Sequence, residues 1–178
     1  APRGRAQLMN REARAALHYW GAVKTLLPPD LEFPGRVGKN ARDTVNICIN
    51  YGYGILYTRI WTALLRAGLD PYTGFLHTIA DNKPALVFDL IEEFRQCVID
   101  RTLFAAFLKK WRPGPLEDGK LARKDRNDIV EKILLRLDEP VEFRHKNIPL
   151  DELIREKARE IARMIQGGPE HKPYIAPW

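Results

Sequence analysis

Between Asp43 and Ala67 the chain carries a run that is apolar on almost every side of a helix. Val45, Ile47, Cys48, Ile49, Ile55, Leu56, Ile60, Trp61, Leu64 and Leu65 leave no wide polar face. A helix of this kind has to be enclosed, so the rest of the chain must supply the elements that cover it. Asp43 suits the N-cap, Gly68 suits the position just past the helix, and Pro71 follows. The polar exceptions are informative. Asn46 and Tyr57 are eleven residues apart, about three turns, and so share a face. Asn50 and Tyr53 fall on or near it. These groups either line a polar site or form satisfied buried hydrogen bonds. Gly52 and Gly54 each cost about 1 kcal/mol relative to alanine inside a helix, which suggests close approach of a neighbouring backbone or side chain.

The covering elements also read as helices. Residues 8–27 are expected to form one, stopped by Pro28-Pro29, with Leu8, Ala15, Ala16, Tyr19, Val23 and Leu26 as its apolar stripe. Glu12 falls inside that stripe, where a carboxylate is costly unless an arginine, a cap or a metal pairs with it. Its other reading is a residue at the stripe's edge that reaches water. A loop over 28–42 carries Arg36, Lys39 and Arg42 beside Gly35 and Gly38, a composition suited to phosphate contact or simply to solvent. A long helix is expected from Pro84 to Trp111, burying Val87, Leu90, Ile91, Phe94 and Val98. Another spans 124–137, with Ile129, Val130, Ile133, Leu134 and Leu137 inward. A small hairpin or arm is expected over 139–149. A last helix over 150–166 places Leu150, Ile154, Ala158, Ile161 and Ile165 on one side. Strand signals are otherwise sparse and no repeat occurs, so the fold class is all-α: a multi-helix domain over 1–168 with an extended tail over 169–178.

Composition narrows the chemistry. The 178 residues suit one domain, and 45% hydrophobic with 29% charged residues suffices for a real core. A formal charge of +6, spread along the chain, favours a polyanionic partner such as nucleic acid. Cys48 and Cys97 lie in apolar helical runs and read as buried free thiols in a reducing compartment. No run reaches membrane-spanning length. The chain has no serine, which excludes a serine triad, and it has neither paired cysteines nor clustered histidines at zinc spacing. His18, His145 and His171 have no acidic partner at helical spacing.

The stretch Gly74–Arg95 holds the remaining chemistry. His77 precedes a turn-rich segment, and the following helix turns Asp89, Glu92 and Glu93 away from its apolar stripe. The bland reading is a solvated acidic face. The sharper one joins Glu12, His77 and the Asp89/Glu92 pair, from three separate elements, into a divalent-metal site. Carboxylate oxygens suit Mg²⁺ or Mn²⁺, and a histidine shifts the balance towards Mn²⁺. In a basic protein such a site suggests phosphodiester chemistry. Spacing alone does not choose Glu92 over Glu93.

Four blocks, LMNREARAALHYW, DTVNICINYGYGILY, AGLDPYTGFLH and KPALVFDLIEEFR, occur in this order over roughly residues 7–110. Together they strongly resemble the C-terminal helical domain of the CRISPR-associated spacer-acquisition integrase. The resemblance implies a metal site of Glu12, His77 and Glu92, with Asp89 as the accompanying acid and Asn46 and Tyr57 lining the pocket. It implies transesterification of a DNA 3′-hydroxyl onto a phosphodiester, with Mn²⁺ or Mg²⁺, and nuclease activity when water replaces the hydroxyl. Arg36, Lys39, Arg42 and Lys83 are the candidate DNA-backbone contacts. Ala13 departs from the family pattern, which usually has glycine after the glutamate.

The resemblance further implies prespacer and CRISPR-array DNA as substrates, a small ferredoxin-like partner subunit, a homodimer in the intact protein, and a prokaryotic cytoplasmic location. Family members begin with a β-rich N-terminal domain. Nothing here reads as that domain, so the chain is expected to be part of a longer protein. A non-catalytic DNA-binding helical module and a mobile-element transposase domain are the alternative readings.

Overall fold

The computed structural model describes residues 4–75 and 83–177, apart from the side chains of Arg5 and Ala6. Helix α1 (Arg5–Leu26) leads through a short 3₁₀ turn (Pro29–Leu31) and an irregular loop into α2 (Thr44–Arg66). Helix α3 (Ala85–Phe94) runs through a π-helical turn (Arg95–Asp100) straight into α4 (Arg101–Leu108). Then come α5 (Arg123–Asp138), strands β1 (Pro140–Phe143) and β2 (Lys146–Pro149), and α6 (Leu150–Ile165). The all-α class therefore holds, with one antiparallel hairpin in which Val141 faces Ile148. Among the described residues no helix is long and apolar enough to cross a membrane.

Helix α2 is the centre. It packs against α3, the π turn, α5 and α6, and Val45, Cys48, Ile49, Leu56, Ile60 and Leu64 are fully buried. Asp43 caps it by accepting from the Asn46 amide at 2.9 Å. Gly68 closes it at φ +76°, a conformation that glycine enters without a Cβ penalty. The two helical glycines separate. A Cβ on Gly52 would meet Ile99 Cγ2 at 2.8 Å and Ile133 Cδ1 at 3.3 Å, whereas one on Gly54 would meet nothing within 4 Å. Close approach thus explains Gly52 and not Gly54, which is exposed.

Several expected faces are redrawn. Helix α1 docks only through its C-terminal half, where Tyr19 and Trp20 are half-buried and Val23 and Leu27 are buried. Leu8, Ala15, Ala16 and Leu26 are exposed, so the stripe proposed around Glu12 is not a buried one, and Glu12 itself is exposed. On α5, Ile129, Ile133 and Leu137 face inward, but Leu134 is exposed and Val130 half-buried, because α5 shows α2 only a narrow stripe. Ile165 is exposed at the end of α6, beyond the last turn that reaches the core. The long helix from 84 does bury Val87, Leu90, Ile91, Phe94 and Val98, as its periodicity predicts. Its π turn was not anticipated.

The glycine pair makes a paired prediction. Gly52→Ala should lower stability by about 1 kcal/mol, since overpacking of about 1–3 kcal/mol outweighs the helical gain of about 1 kcal/mol. Gly54→Ala should raise it by up to about 1 kcal/mol. Urea unfolding of the two variants reads both signs; equal shifts would remove the close-approach argument.

Candidate active site

The π turn sets the floor of a cleft that carries acidic side chains. One extra residue in the helical turn brings Asp100 inward beneath α1 and α2, where it is 1% exposed. Tyr19 of α1 donates to its carboxylate at 2.8 Å, and Tyr53 of α2 donates at 2.7 Å. Burial pushes the Asp100 carboxyl up to about 6, against the opposing pull of the tyrosine hydrogen bonds and of the Arg36 and Arg95 guanidinium groups. The same burial, with the Asp100 charge, raises both phenols well above their ordinary range.

Above this floor lies a cleft of about 430 Å³, lined by Glu12, Tyr19, Trp20, Arg36, Tyr53, Glu92, Arg95 and Asp100 among others. Glu12 enters from α1 and Glu92 from α3, so two of the sequence-predicted ligands face one space. Arg95, one turn beyond Glu92, pairs with it at 2.5 Å and lies 5.0 Å over the Tyr53 ring. Its Nε is buried and makes no hydrogen bond. His77 lies outside the described residues. Among the described residues alone, no three acidic, histidine or cysteine side chains gather closely enough to hold an ion.

The remaining predicted residues have other placements. Asn46 is fully buried and accepts from Arg36 at 3.1 Å and from the Val37 amide at 2.9 Å. It also donates to Gly35 and Asp43. It therefore holds the 35–43 loop against α2 and does not line the cleft. Tyr57 is half-buried between Trp61 and Phe88, also away from the cleft. The shared face read from their spacing exists, but it serves two different contacts. Asp89 accepts from the Phe75 amide at 2.5 Å and so anchors the loop that precedes the undescribed segment.

Arg36 is committed to the protein. It spans Asn46 and Asn50, bonds to the Val37 carbonyl, and lies over Trp20 at 5.5 Å and Tyr53 at 5.2 Å. Lys39, Arg42 and Lys83 are exposed. Glu93 is employed by the tail: it accepts from the Tyr174 amide at 2.8 Å and meets His171 Nε2 at 2.6 Å. His171 thus does have acidic partners, brought from Glu93 and Glu160 by the chain's return rather than by helical spacing.

Sequence reasoning missed Asp100, Arg95 and Tyr19 as site residues. The available signal was an acid at 100 in the otherwise apolar run Cys97–Ile99 and Leu103–Phe104. A regular helix would have turned it aside from the Phe94/Val98 stripe. The raised carboxyl has a measurable consequence. A folded-state value above the unfolded one contributes stability that is fully present below about pH 4 and is lost as pH rises through about 6. Wild type should therefore lose up to about 3 kcal/mol from this group between those limits. Asp100→Asn, whose Oδ1 accepts from one tyrosine while its Nδ2 donates to the other, should flatten that window; urea unfolding at several pH values checks it.

The family description "CRISPR associated protein Cas1" matches residues 2–117. The chain is 32% identical over 185 residues to a CRISPR-associated endonuclease Cas1 of Archaeoglobus fulgidus, covering 98% of this chain and 54% of that protein. It is 34% identical over 173 residues to one of Saccharolobus solfataricus, covering 96% of this chain and 43% of that protein. The chain thus spans about half the length of the curated relatives it matches. Among solved structures, a casposase bound to integration product superposes with TM-score 0.87 at 24% identity, over 93% of this chain and 49% of that one. A Cas1 protein from Thermotoga maritima gives 0.84 at 20% identity, over 94% and 54%. A partial Cas6-RT-Cas1–Cas2 complex gives 0.79 at 21%, over 94% and 52%. These structural likenesses bear on the fold, and the family match, which covers more than half of the sequence, goes further: the chain belongs to the CRISPR-associated protein Cas1 family.

Proposed function

We propose that this chain is the helical catalytic part of a divalent-metal-dependent DNA endonuclease and integrase that inserts spacers into a CRISPR array. The observation that carries the reading is the meeting of Glu12 and Glu92 in one cleft beside Arg95, in a chain of the Cas1 family. The relatives named as endonucleases, and the casposase solved with an integration product, support it.

The donor set fits a hard divalent ion. Both carboxylates are exposed at the cleft, and oxygen donors with one imidazole suit Mn²⁺ or Mg²⁺. Glu12, His77 and Glu92 would hold it. Bound there, the ion would polarise the phosphate and stabilise charge on the attacking and departing oxygens.

The protein's own groups position and polarise the substrate. Arg95, beside Glu92, offers positive charge where a phosphate enters. Asp100 keeps Tyr19 and Tyr53 fixed beneath it, and Arg36 holds the 35–43 loop at the rim. Lys39, Arg42 and Lys83 supply contacts to the DNA backbone, which add affinity without reading sequence. In the joining step a DNA 3′-oxygen bonds to phosphorus as the bond to the departing 3′-oxygen breaks. The attacking hydroxyl gives up a proton and the departing oxygen gains one. One phosphodiester replaces another, so no nucleotide cofactor is needed. With water as nucleophile the same displacement cuts the strand.

A ferredoxin-like adaptation subunit, a homodimer and a prokaryotic cytoplasmic setting belong to this proposal; of these, the Cas1–Cas2 assemblies among the structural neighbours support a partner protein. The casposase likeness favours a second reading, a mobile-element transposase. The DNA end that is joined discriminates the two.

Glu12→Ala tests the site. Because Glu12 is exposed, the variant without metal should unfold within about 0.5 kcal/mol of wild type. Stabilisation by added Mn²⁺, about 2.7 kcal/mol at one hundred times the dissociation constant for wild type, should shrink, and metal-dependent cutting of DNA should be lost. Glu131→Ala on α5 is the control and should change neither. A full Mn²⁺ response in Glu12→Ala would remove Glu12 from the site.

A further inference from the structure

Residues 101–136 contain ten lysines and arginines against five acids, a local net charge of +5. Part of this charge lines a second open groove, of about 460 Å³, between α4 and α5. Its floor is low, because α4 presents Ala105 and Ala106 there. Its walls carry Arg101 and Lys109 from the α4 side and Lys132 and Arg136 from α5. Arg101, Ala105 and Lys109 recur every four residues and so stand on one face. Their span, eight residues, is about 12 Å of helix, a length over which one DNA strand carries about three to four phosphates.

The acids facing this groove do not cancel it. Glu139, the acid in its lining, is already paired with Arg136, and Asp128, outside the lining, accepts from the indole of Trp111 at 3.3 Å. Lys132 is held over the Trp111 ring at 5.2 Å, which fixes its position at the wall. The groove also connects to the active cleft. Glu92 lines that cleft and a smaller hollow beside it, Gln96 lines both as well, and Arg101 lines both the hollow and the groove. The tail segment Tyr174–Pro177 forms the outer wall of the hollow, and Arg101 donates to the Pro177 carbonyl at 3.4 Å.

We propose that the α4–α5 groove binds the phosphate backbone of DNA as it continues beyond the cleft, through Arg101, Lys109 and Lys132. The inference rests on the nuclease reading for its ligand but not for its test. Small floor residues let a backbone sink between two rows of cations, and cations that meet phosphates add affinity without reading bases, so the contact is independent of sequence. From Glu92 to Lys109 the helix advances about 25 Å, equivalent to about seven base pairs of duplex.

The test is equilibrium binding, without catalysis, of the Lys109→Gln/Lys132→Gln variant to two duplexes. One extends about five base pairs beyond its branch point and the other about twenty, so that only the longer reaches the groove. Wild type should bind the longer duplex more tightly and with a steeper salt dependence. The variant should lose that increment, its slope on the longer duplex falling by up to about 1.8 for two contacts, and should match wild type on the shorter one. Melting temperatures confirm that both proteins are folded; if the pair destabilises through Trp111, Arg101→Gln/Lys109→Gln replaces it. Equal slopes for wild type and variant on the longer duplex overturn the proposal and leave an acidic protein as the groove's occupant. Equal losses on both duplexes also overturn it, because they would mark a general loss of charge. Failure of the nuclease reading would show instead as intact binding increments with no metal-dependent cutting by wild type.

Discussion

Two tyrosine hydroxyls bonded to one buried carboxylate hold the site together. Asp100 can be buried only because Tyr19 and Tyr53 satisfy its two oxygens, and those tyrosines belong to α1 and α2. Helix α1 has few other ties to the body: Trp20 packs edge-on to Phe104, and Val23 and Leu27 enter the core. Glu12 stands about two turns before Tyr19, so its orientation depends on the Tyr19 bond. The carboxyl is left close to neutrality in its titration, so the same arrangement that orders the cleft also costs stability at neutral pH.

The π turn makes that burial possible. A regular helix through Arg95–Asp100 would keep the 3.6-residue phase, and the positions that follow Val98 would rotate past the core. The wider turn lets Cys97, Val98, Ile99 and Asp100 all be buried in succession. It also turns Arg95 over Tyr53, beside Glu92, and sends α4 off so that its Ala105/Ala106 face meets α5 as an open groove. One local departure from helical geometry thus links cleft, arginine and basic groove.

Charge is managed by commitment rather than by number. Arg36 is sandwiched by aromatic rings and amides and acts as a brace for its loop, while Lys39 and Arg42 on the same loop remain exposed. Adjacent glutamates part in the same way. Glu92 opens to the cleft and Glu93 is drawn into the tail by His171 and the Tyr174 amide, with Tyr174 stacked on Phe94 at 5.9 Å. Helical phase puts the two about 100° apart, and the returning tail decides which becomes structural.

The sequence by itself determined the helical class, the enclosed central helix with its Asp43 cap and Gly68 stop, the hairpin over 139–149, and the family through four ordered blocks. These are properties of local periodicity, capping chemistry and residue order, all of which are written along the chain. The close approach at Gly52 was legible for the same reason. What only the tertiary structure decided was depth and partnership. Glu12 proved exposed because α1 docks by its second half, Asn46 became a loop clamp because Gly35–Val37 folds over it, and Asp100 became the floor because a π turn shifted the phase. Each of these outcomes depends on contacts between residues distant in sequence, such as the pair 19 and 100. Periodicity within a single element carries no information about such contacts.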